Sequence, residues 1–171
     1  YVVFSDIDWL IKKTNPDFIV ITGDIVYGEF DDNGTTLQLL IDKFESYGIP
    51  WIPVWGNHDN ESEKGVIWQC EKLENAKNCL FKRGSVTGTG NYTVGVFDKN
   101  NNLKRILYML NSHGSWCASE KSLASGVKRD YGFEPDQIAW LDALGEKIEK
   151  EYGKIPSFAC FHTATVDLIE V

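Results

Sequence analysis

The feature that most constrains the fold is a pair of short apolar runs on either side of one amphipathic segment. Residues 17–22 and 49–55 are rich in β-branched and aromatic side chains, and the runs end at Gly23 and Gly56. Runs of this length and composition are typical of strands that are buried on both faces in a parallel sheet. Between them, residues 36–47 repeat apolar side chains at helical spacing. The sequence therefore predicts a β–α–β crossover that joins two parallel strands.

The remainder of the chain predicts a mixed α/β (α+β) fold. Further helices are predicted over residues 7–11, 64–76 and 135–152, and further strands over residues 91–97, 103–110 and 155–161. The first two of these strands alternate apolar and polar residues around a polar turn, which predicts a hairpin. Residues 112–131 are polar and rich in glycine and serine, and they predict a long surface loop. No repeat or linker interrupts the chain, so we expect one domain over residues 1–171.

Two details of the predicted helices can be checked directly. The first helix has Ser5 or Asp6 as its candidate N-cap. The helix over residues 135–152 has one apolar stripe, which we expect to be buried. The stripe consists of Ile138, Leu141, Leu144 and Ile148.

Charge narrows the classes of partner. The chain has 17 basic and 25 acidic residues, a net charge of −8, and no clustered stripe of lysine and arginine. Nucleic-acid binders usually present a basic face, so we expect no nucleic-acid partner. No apolar run approaches the roughly 20 residues of a membrane helix, and we expect no membrane partner. A phosphate-bearing substrate stays compatible with an acidic chain, because bound metal ions can supply local positive charge.

The four cysteines contain no C-x-x-C pair, which argues against a zinc ribbon or a thioredoxin-like motif. They are Cys70, Cys79, Cys117 and Cys160. Cys160 lies in an apolar run and is predicted to be a buried free thiol. The sequence allows either a disulfide between Cys70 and Cys79 or two reduced thiols. It therefore does not assign the protein to an oxidising or a reducing compartment.

Polar residues follow three predicted strands at the point where each strand ends. Asp24 follows the first, residues 57–59 (Asn-His-Asp) follow the second, and His162 follows the last. In open α/β sheets ligands bind at the carboxyl ends of the strands, so these side chains are predicted to converge. Carboxylate, amide oxygen and imidazole form a mixed oxygen and nitrogen ligand set that suits Mn, Fe or Zn. The sequence therefore predicts a metal site.

Each of these residues also has a plain structural interpretation. A Gly-Asp pair after a strand is usually a turn, and His162 alone fits a histidine at a strand edge. Residues 56–59 (Gly-Asn-His-Asp) form a rarer string with little use in packing, which favours function. Tyr27 is compatible with a loop aromatic as much as with a ligand. His113 fits a loop position better than one that faces the site.

Two of these strings resemble the motifs of the calcineurin-like metallophosphoesterase superfamily. They are residues 23–27 (Gly-Asp-Ile-Val-Tyr) and residues 56–59 (Gly-Asn-His-Asp). The residues around them, together with residues 107–112, 131–132 and 137–141, are similar to the purple-acid-phosphatase-related branch. That branch contains the plant inactive-type purple acid phosphatases and the fungal Dcr2-like phosphatases. The resemblance covers most of the chain.

The resemblance implies a fold and an activity. The fold is a four-layer α-β-β-α sandwich, which this chain would cover incompletely at both ends. The activity is metal-dependent hydrolysis of phosphoric esters by a phosphatase. A dinuclear centre of Fe, Mn or Zn holds the hydroxide that attacks phosphorus in line with the leaving group. The substrate is a phosphate ester, either a small molecule or a phosphoprotein.

The resemblance also implies a set of metal ligands. Asp24 corresponds to the carboxylate that bridges the two ions. Asn57, through its amide oxygen, and His162 correspond to ligands of the second ion. Tyr27 stands three residues after Asp24, where purple acid phosphatases place the tyrosinate that binds ferric iron.

Two further residues take catalytic roles by the same resemblance. His58 corresponds to the histidine outside the metal shell that contacts the substrate phosphate and assists the leaving group. Asp59 corresponds to the residue that orients His58. A protonated histidine at this point stabilises the charge that spreads over the phosphoryl oxygens in the transition state.

The sequence departs from the family pattern at both ends. The family's Asp-x-His and Gly-His-x-His motifs are not present, and we expect them to lie outside residues 1–171. Residues 6–8 (Asp-Ile-Asp) imitate the first motif but are interpreted as the start of a helix. Residues 163–166 also differ from the apolar-Pro-Leu-Pro run that follows this histidine in the branch. A non-catalytic or catalytically impaired metal- or phosphate-binding module is therefore the alternative, and a nuclease is disfavoured by the acidic charge.

Overall fold

The structure is a computed structural model that describes residues 2–31, 33–113 and 132–163. Within these ranges it contains four α-helices, five strands and two short 3₁₀ helices. The α-helices are α1 (Val2–Thr14), α2 (Thr35–Ser46), α3 (Gly65–Asn75) and α4 (Pro135–Tyr152). The strands are β1 (Ile19–Thr22), β2 (Trp51–Val54), β3 (Tyr92–Phe97), β4 (Leu103–Met109) and β5 (Ser157–Cys160). The 3₁₀ helices span Gly28–Phe30 and His58–Glu61. The mixed α/β class is confirmed.

The strands form two sheets, and the predicted pairings are confirmed. β1 and β2 are parallel, with Ile19 opposite Trp51, and α2 connects them as the predicted crossover. β3 and β4 form the predicted antiparallel hairpin. β5 runs parallel to β4, with Ile106 opposite Ser157. Because β4 and β5 are parallel, the chain leaves both strands at the same edge of their sheet.

The core lies around β2, whose four residues are all buried. The apolar face of α2 covers it, and the Phe44 ring stacks on Trp51 with 5.4 Å between centroids. The two sheets are joined directly, because the buried Tyr92 hydroxyl of β3 donates a hydrogen bond to the Pro53 carbonyl of β2. Trp55, which follows β2, is also fully buried.

Helix α4 has the predicted bounds, but three residues of its predicted buried stripe (Leu141, Leu144 and Ile148) are only half-buried and the fourth is exposed. Ile138 is 45% exposed, whereas its polar neighbour Gln137 is 1% exposed. The reason lies at the start of the helix, where Gln137 accepts a hydrogen bond from the Glu134 backbone as part of a capping box. That box turns Gln137 inward and leaves Ile138 toward solvent.

Three other expectations need correction or refinement. Helix α1 begins at Val2, ahead of the predicted caps Ser5 and Asp6. Cys160 in β5 is half-buried rather than buried as predicted, and Phe158 in the same strand is 58% exposed. The predicted loop over 112–131 lies outside the described residues from 114 onward.

Within the described helices, none is long and apolar enough to span a membrane.

The described cysteines are free thiols. Cys70 is buried, while Cys79 and Cys160 are half-buried, so the open question about Cys70 and Cys79 resolves to reduced thiols in this structure. Burial raises the pKa of the Cys70 thiol to about 11 and that of Cys79 to about 12. Both are therefore weak nucleophiles at neutral pH. Cys117 lies outside the described residues.

Candidate metal centre

Two of the predicted ligands, separated by most of the chain, meet at one point. Nε2 of His162 lies 3.2 Å from Oδ2 of Asp24. The other ring nitrogen of His162, Nδ1, donates a hydrogen bond of 2.8 Å to the carbonyl of Thr22, the last residue of β1. The segment after β5 therefore docks on the end of β1, and the two sheets share one site.

The segment after β2 reaches the same point through its backbone. The His58 amide donates a hydrogen bond of 3.0 Å to Oδ1 of Asp24. Asn57 lies between Gly56 and His58 as the residue that precedes the 3₁₀ helix, and its side chain is half-buried. Asp24 thus lies against both the segment that carries Asn57 and the ring of His162.

Gly23 and Gly56 allow this approach because they have no side chain. A Cβ at Gly56 would lie 2.1 Å from Oδ1 of Asp24 and 2.3 Å from its backbone nitrogen. A Cβ at Gly23 would lie 2.7 Å from Nδ1 of His162, and Gly23 also has a φ of +94°. Asp24 itself has a positive φ of 48°, a strained conformation that a close contact must maintain. The glycines of both motifs are therefore required by the packing of the site.

Asp59 links the loops after β1 and β2. Its buried carboxylate accepts hydrogen bonds from the Gly56 amide at 2.7 Å and the Val26 amide at 3.1 Å. Burial raises the pKa of the Asp59 carboxyl to about 7, although those two amide hydrogen bonds lower it. The Asp59 carbonyl accepts a further bond from the Gln69 side chain. Asp59 therefore stabilises the loops that carry Asp24 and Asn57.

The ring of His58 has a different acidic partner from the one expected. Its Nδ1 donates a hydrogen bond of 2.8 Å to Oε2 of Glu61, so the orienting contact implied for Asp59 is made by Glu61 in this structure. This hydrogen bond raises the pKa of His58 above its ordinary value, and burial opposes it. Sequence reasoning did not single out Glu61, because a 3₁₀ helix of four residues leaves no periodic signal.

The ring of Tyr27 lies against the ring of His58. Its ring centroid is 4.3 Å from that of His58 and 5.2 Å from that of Phe30, and its side chain is about half exposed. The structure thus places Tyr27 beside the candidate catalytic histidine. Its assignment as a metal ligand stays a prediction.

A buried polar network holds the segment after β4 next to His162. Its centre is Gln137, which donates to Oδ1 of Asn91 at 2.8 Å and to the Asn111 carbonyl at 2.9 Å. His113 is buried and donates from Nε2 to Oε1 of Gln137 at 3.0 Å. Ser112, also fully buried, accepts a hydrogen bond of 3.0 Å from the Thr163 amide. The network therefore anchors the backbone that follows His162, a role that sequence reasoning did not assign to it.

The donor set around His162 fits a cation. Both ring nitrogens face acceptors, the Thr22 carbonyl and the Asp24 carboxylate. Nδ1 is committed to the Thr22 carbonyl, so Nε2 is the ring nitrogen that a cation beside the Asp24 carboxylate would contact. A backbone carbonyl on the other ring nitrogen is the usual outer partner of a metal-binding histidine. In the part of the chain that the structure describes, no group of three or more His, Cys, Asp or Glu side chains is placed to hold a metal ion.

Comparison with known proteins agrees with the motifs. A family model described as calcineurin-like phosphoesterase matches residues 3–165. The chain is 32% identical over 109 residues to the phosphatase DCR2 of Saccharomyces cerevisiae, which covers 57% of this chain and 19% of that protein. It is 28% identical over 160 residues to "Probable inactive purple acid phosphatase 14" of Arabidopsis thaliana, which covers 85% of this chain and 39% of that protein.

An uncharacterised protein of Schizosaccharomyces pombe is also similar, at 25% identity over 135 residues, which is 78% of this chain and 25% of that protein. The chain spans 19% to 45% of the length of the curated relatives that it matches.

Proposed function

Because the chain belongs to the calcineurin-like phosphoesterase family, we propose that it carries part of a dinuclear metal centre that hydrolyses phosphate esters. The observation that carries the proposal is the 3.2 Å approach of His162 Nε2 to Asp24 Oδ2. Asp24 and His162 follow strands of two different sheets, and their half-buried side chains need a reason to meet there. A shared ion gives that reason.

The residues present fit such a centre. Asp24 has two oxygens and is suited to bridge two ions, while His162 and Asn57 would complete one of them. Tyr27 would belong to the other ion, as its position after Asp24 implies. The donor set of oxygen and imidazole nitrogen suits Fe, Mn or Zn. Two such ions, when bound, lower the pKa of water and stabilise charge on the attacking and leaving oxygens.

The protein's own side chains prepare the site for a phosphate ester. The elevated pKa of His58 keeps more of its ring protonated at neutral pH, as a donor to a phosphate or leaving-group oxygen requires. General acid assistance of this kind contributes typically 10²–10⁴-fold to rate. Asp59 and the two glycines keep the backbone of residues 56–58 against Asp24. The substrate class is a phosphate ester, of a small molecule or a phosphoprotein.

Replacement of the bridging carboxylate tests this proposal. In the complete protein, Asp24→Asn is expected to abolish hydrolysis of p-nitrophenyl phosphate. A carboxylate offers one oxygen to each of two ions, whereas an amide has only one oxygen and no negative charge. Asp17→Asn, an exposed position on the same segment, is the matched control and should keep full activity. Undiminished turnover by Asp24→Asn contradicts the proposal.

A non-catalytic binding module is the second candidate, and the names of three relatives favour it. Each is called a "Probable inactive purple acid phosphatase". Metal analysis of the complete protein separates the two candidates. Two ions per chain together with turnover supports the hydrolase, whereas one ion or none in every preparation, without turnover, supports the binding module.

A further inference from the structure

The acid that contacts the His58 ring is more enclosed than the ring itself. The side chain of Glu61 is 8% exposed, and that of His58 is 30% exposed. The two residues are three apart in a 3₁₀ helix, in which side chains at this spacing lie directly above one another. Glu61 is thus fixed inside the protein, while His58 presents its open side to solvent.

We propose that Glu61 is the positioning residue of His58, which it holds with the proton on Nδ1 and Nε2 toward the substrate. The inference rests on the proposed function, since it assigns the outer partner of the candidate general acid. Asp59 is not suited to this task, because its two carboxylate oxygens accept hydrogen bonds from the Gly56 and Val26 amides. The Tyr27 ring lies against the His58 ring and limits its rotation further.

The chemistry of such a pair is specific. The Nδ1–H group donates to the Glu61 carboxylate, which leaves Nε2 as the nitrogen for a bound ligand. As a water-derived oxygen bonds to phosphorus, the P–O bond to the leaving group breaks, its electron pair passes to the leaving oxygen, and the Nε2 proton moves to that oxygen. The ring becomes neutral and keeps its proton on Nδ1, which still donates to the Glu61 carboxylate. A carboxylate in this position stabilises the protonated ring and sets the tautomer that remains.

Leaving-group dependence separates this role from a purely structural one. Glu61→Gln keeps the shape of the side chain but removes its charge. For an alkyl phosphate, whose leaving oxygen needs a proton, kcat is expected to fall roughly tenfold or more, as part of the contribution of general acid catalysis. For 2,4-dinitrophenyl phosphate, whose leaving group needs no proton, kcat should change less than about twofold. Glu63→Gln, an exposed glutamate two residues further on, is the matched control.

A double-mutant cycle with His58→Gln gives the second test. Because Glu61 acts through His58, Glu61→Gln should have no further effect on kcat once His58 is replaced. An equal loss in both backgrounds, or an equal loss for both substrates, overturns the inference. If Asp24→Asn retains activity, the proposed function fails. If Asp24→Asn is inactive while Glu61→Gln matches the unchanged protein on both substrates, only this inference fails.

A spectroscopic test does not depend on turnover. In two-bond ¹H–¹⁵N correlation spectra of the complete protein, the signals of the His58 ring are assigned by their loss in His58→Gln. We expect neutral His58 to carry its proton on Nδ1, and Glu61→Ala to shift it toward Nε2. If Glu61→Ala does not fold, Glu61→Asp is measured instead, because its shorter side chain also moves the carboxylate away from Nδ1 of His58. A proton on Nε2 of neutral His58 in the unchanged protein contradicts the inference.

Discussion

At the scale of single residues, the site depends on glycines, which have no side chain, as much as on the side chains that would bind a metal. Gly56→Ala places a Cβ 2.1 Å from Oδ1 of Asp24, and the backbone contact at 2.3 Å leaves no flexible group to move away. We expect this variant to bind Mn²⁺ at least tenfold more weakly and to lose activity, because Asp24 is displaced. Isothermal titration measures the affinity.

Gly145→Ala is the control for that experiment. Its Cβ meets no atom within 4 Å and lies within α4, so the variant should bind metal normally and gain about 0.5–1 kcal/mol in stability. Normal metal binding by Gly56→Ala would show that the close approach of Gly56 to Asp24 is not required.

The site residues differ in how far the sequence predicts them. His58 stands in a string, residues 56–59, that is uncommon outside a site, whereas Asp24 is predicted from its place after a buried strand and from the family resemblance. The Glu61 contact was not predicted, since it depends on a 3₁₀ helix with no periodic pattern. Asp59 was predicted beside His58 by resemblance, but its two backbone hydrogen bonds depend on how closely the β1 and β2 loops approach.

At the scale of elements, α4 shows where helical periodicity fails. Apolar spacing predicts Ile138 as buried, but the capping box and the hydrogen bonds of Gln137 determine which residue of the first turn lies inward. Buried hydrogen bonds outweigh one isoleucine here, because each unsatisfied buried group costs about 1–3 kcal/mol. A pattern of apolar residues contains no information about that network.

Two substitutions in α4 test this explanation. Gln137→Leu should lower the free energy of unfolding by about 3 kcal/mol or more, since it removes partners of Asn91, Asn111 and His113. Ile138→Ala should lower it by less than about 1 kcal/mol, because Ile138 is exposed. Urea unfolding measures both. The reverse order of the two losses contradicts the observed orientation of α4.

A carboxylate in the turn of the β3–β4 hairpin makes the stability of the protein depend on pH. The Asp98 carboxylate accepts hydrogen bonds from the Asn100 and Asn102 amides, and these contacts hold its pKa well below the ordinary value. A depressed folded pKa stabilises the protein above the unfolded pKa of about 3.9, and that contribution is lost as pH falls through the folded pKa.

Asp98→Asn should therefore be less stable than the unchanged protein at pH 7. The difference should narrow as pH falls below about 4, where the unfolded carboxyl is protonated. Urea unfolding of both proteins across that range measures it. A difference that stays constant down to pH 2 would show that the Asp98 charge plays no part in the hairpin.

At the scale of the whole molecule, two parts of the fold differ in how they are specified. The β1–α2–β2 unit is local, so periodicity and glycine positions predict it within a few residues. The meeting of the two sheets is not local, since Tyr92 bonds Pro53 and His162 reaches Thr22 across most of the chain. The rule that ligands bind at the carboxyl ends of strands predicted that Asp24 and His162 converge, but no local pattern records that their strands belong to two different sheets.

The central claim is that Asp24 and His162 hold a metal ion together, and metal affinity tests it most directly. Titration of Mn²⁺ into the complete protein is compared with Asp24→Asn, His162→Ala and the exposed control Asp17→Asn. Loss of an outer partner of a ligand typically costs 10–100-fold in affinity, so loss of a ligand itself should cost at least as much. The account predicts this loss for Asp24→Asn and His162→Ala and unchanged affinity for Asp17→Asn. Unchanged affinity in His162→Ala would contradict it.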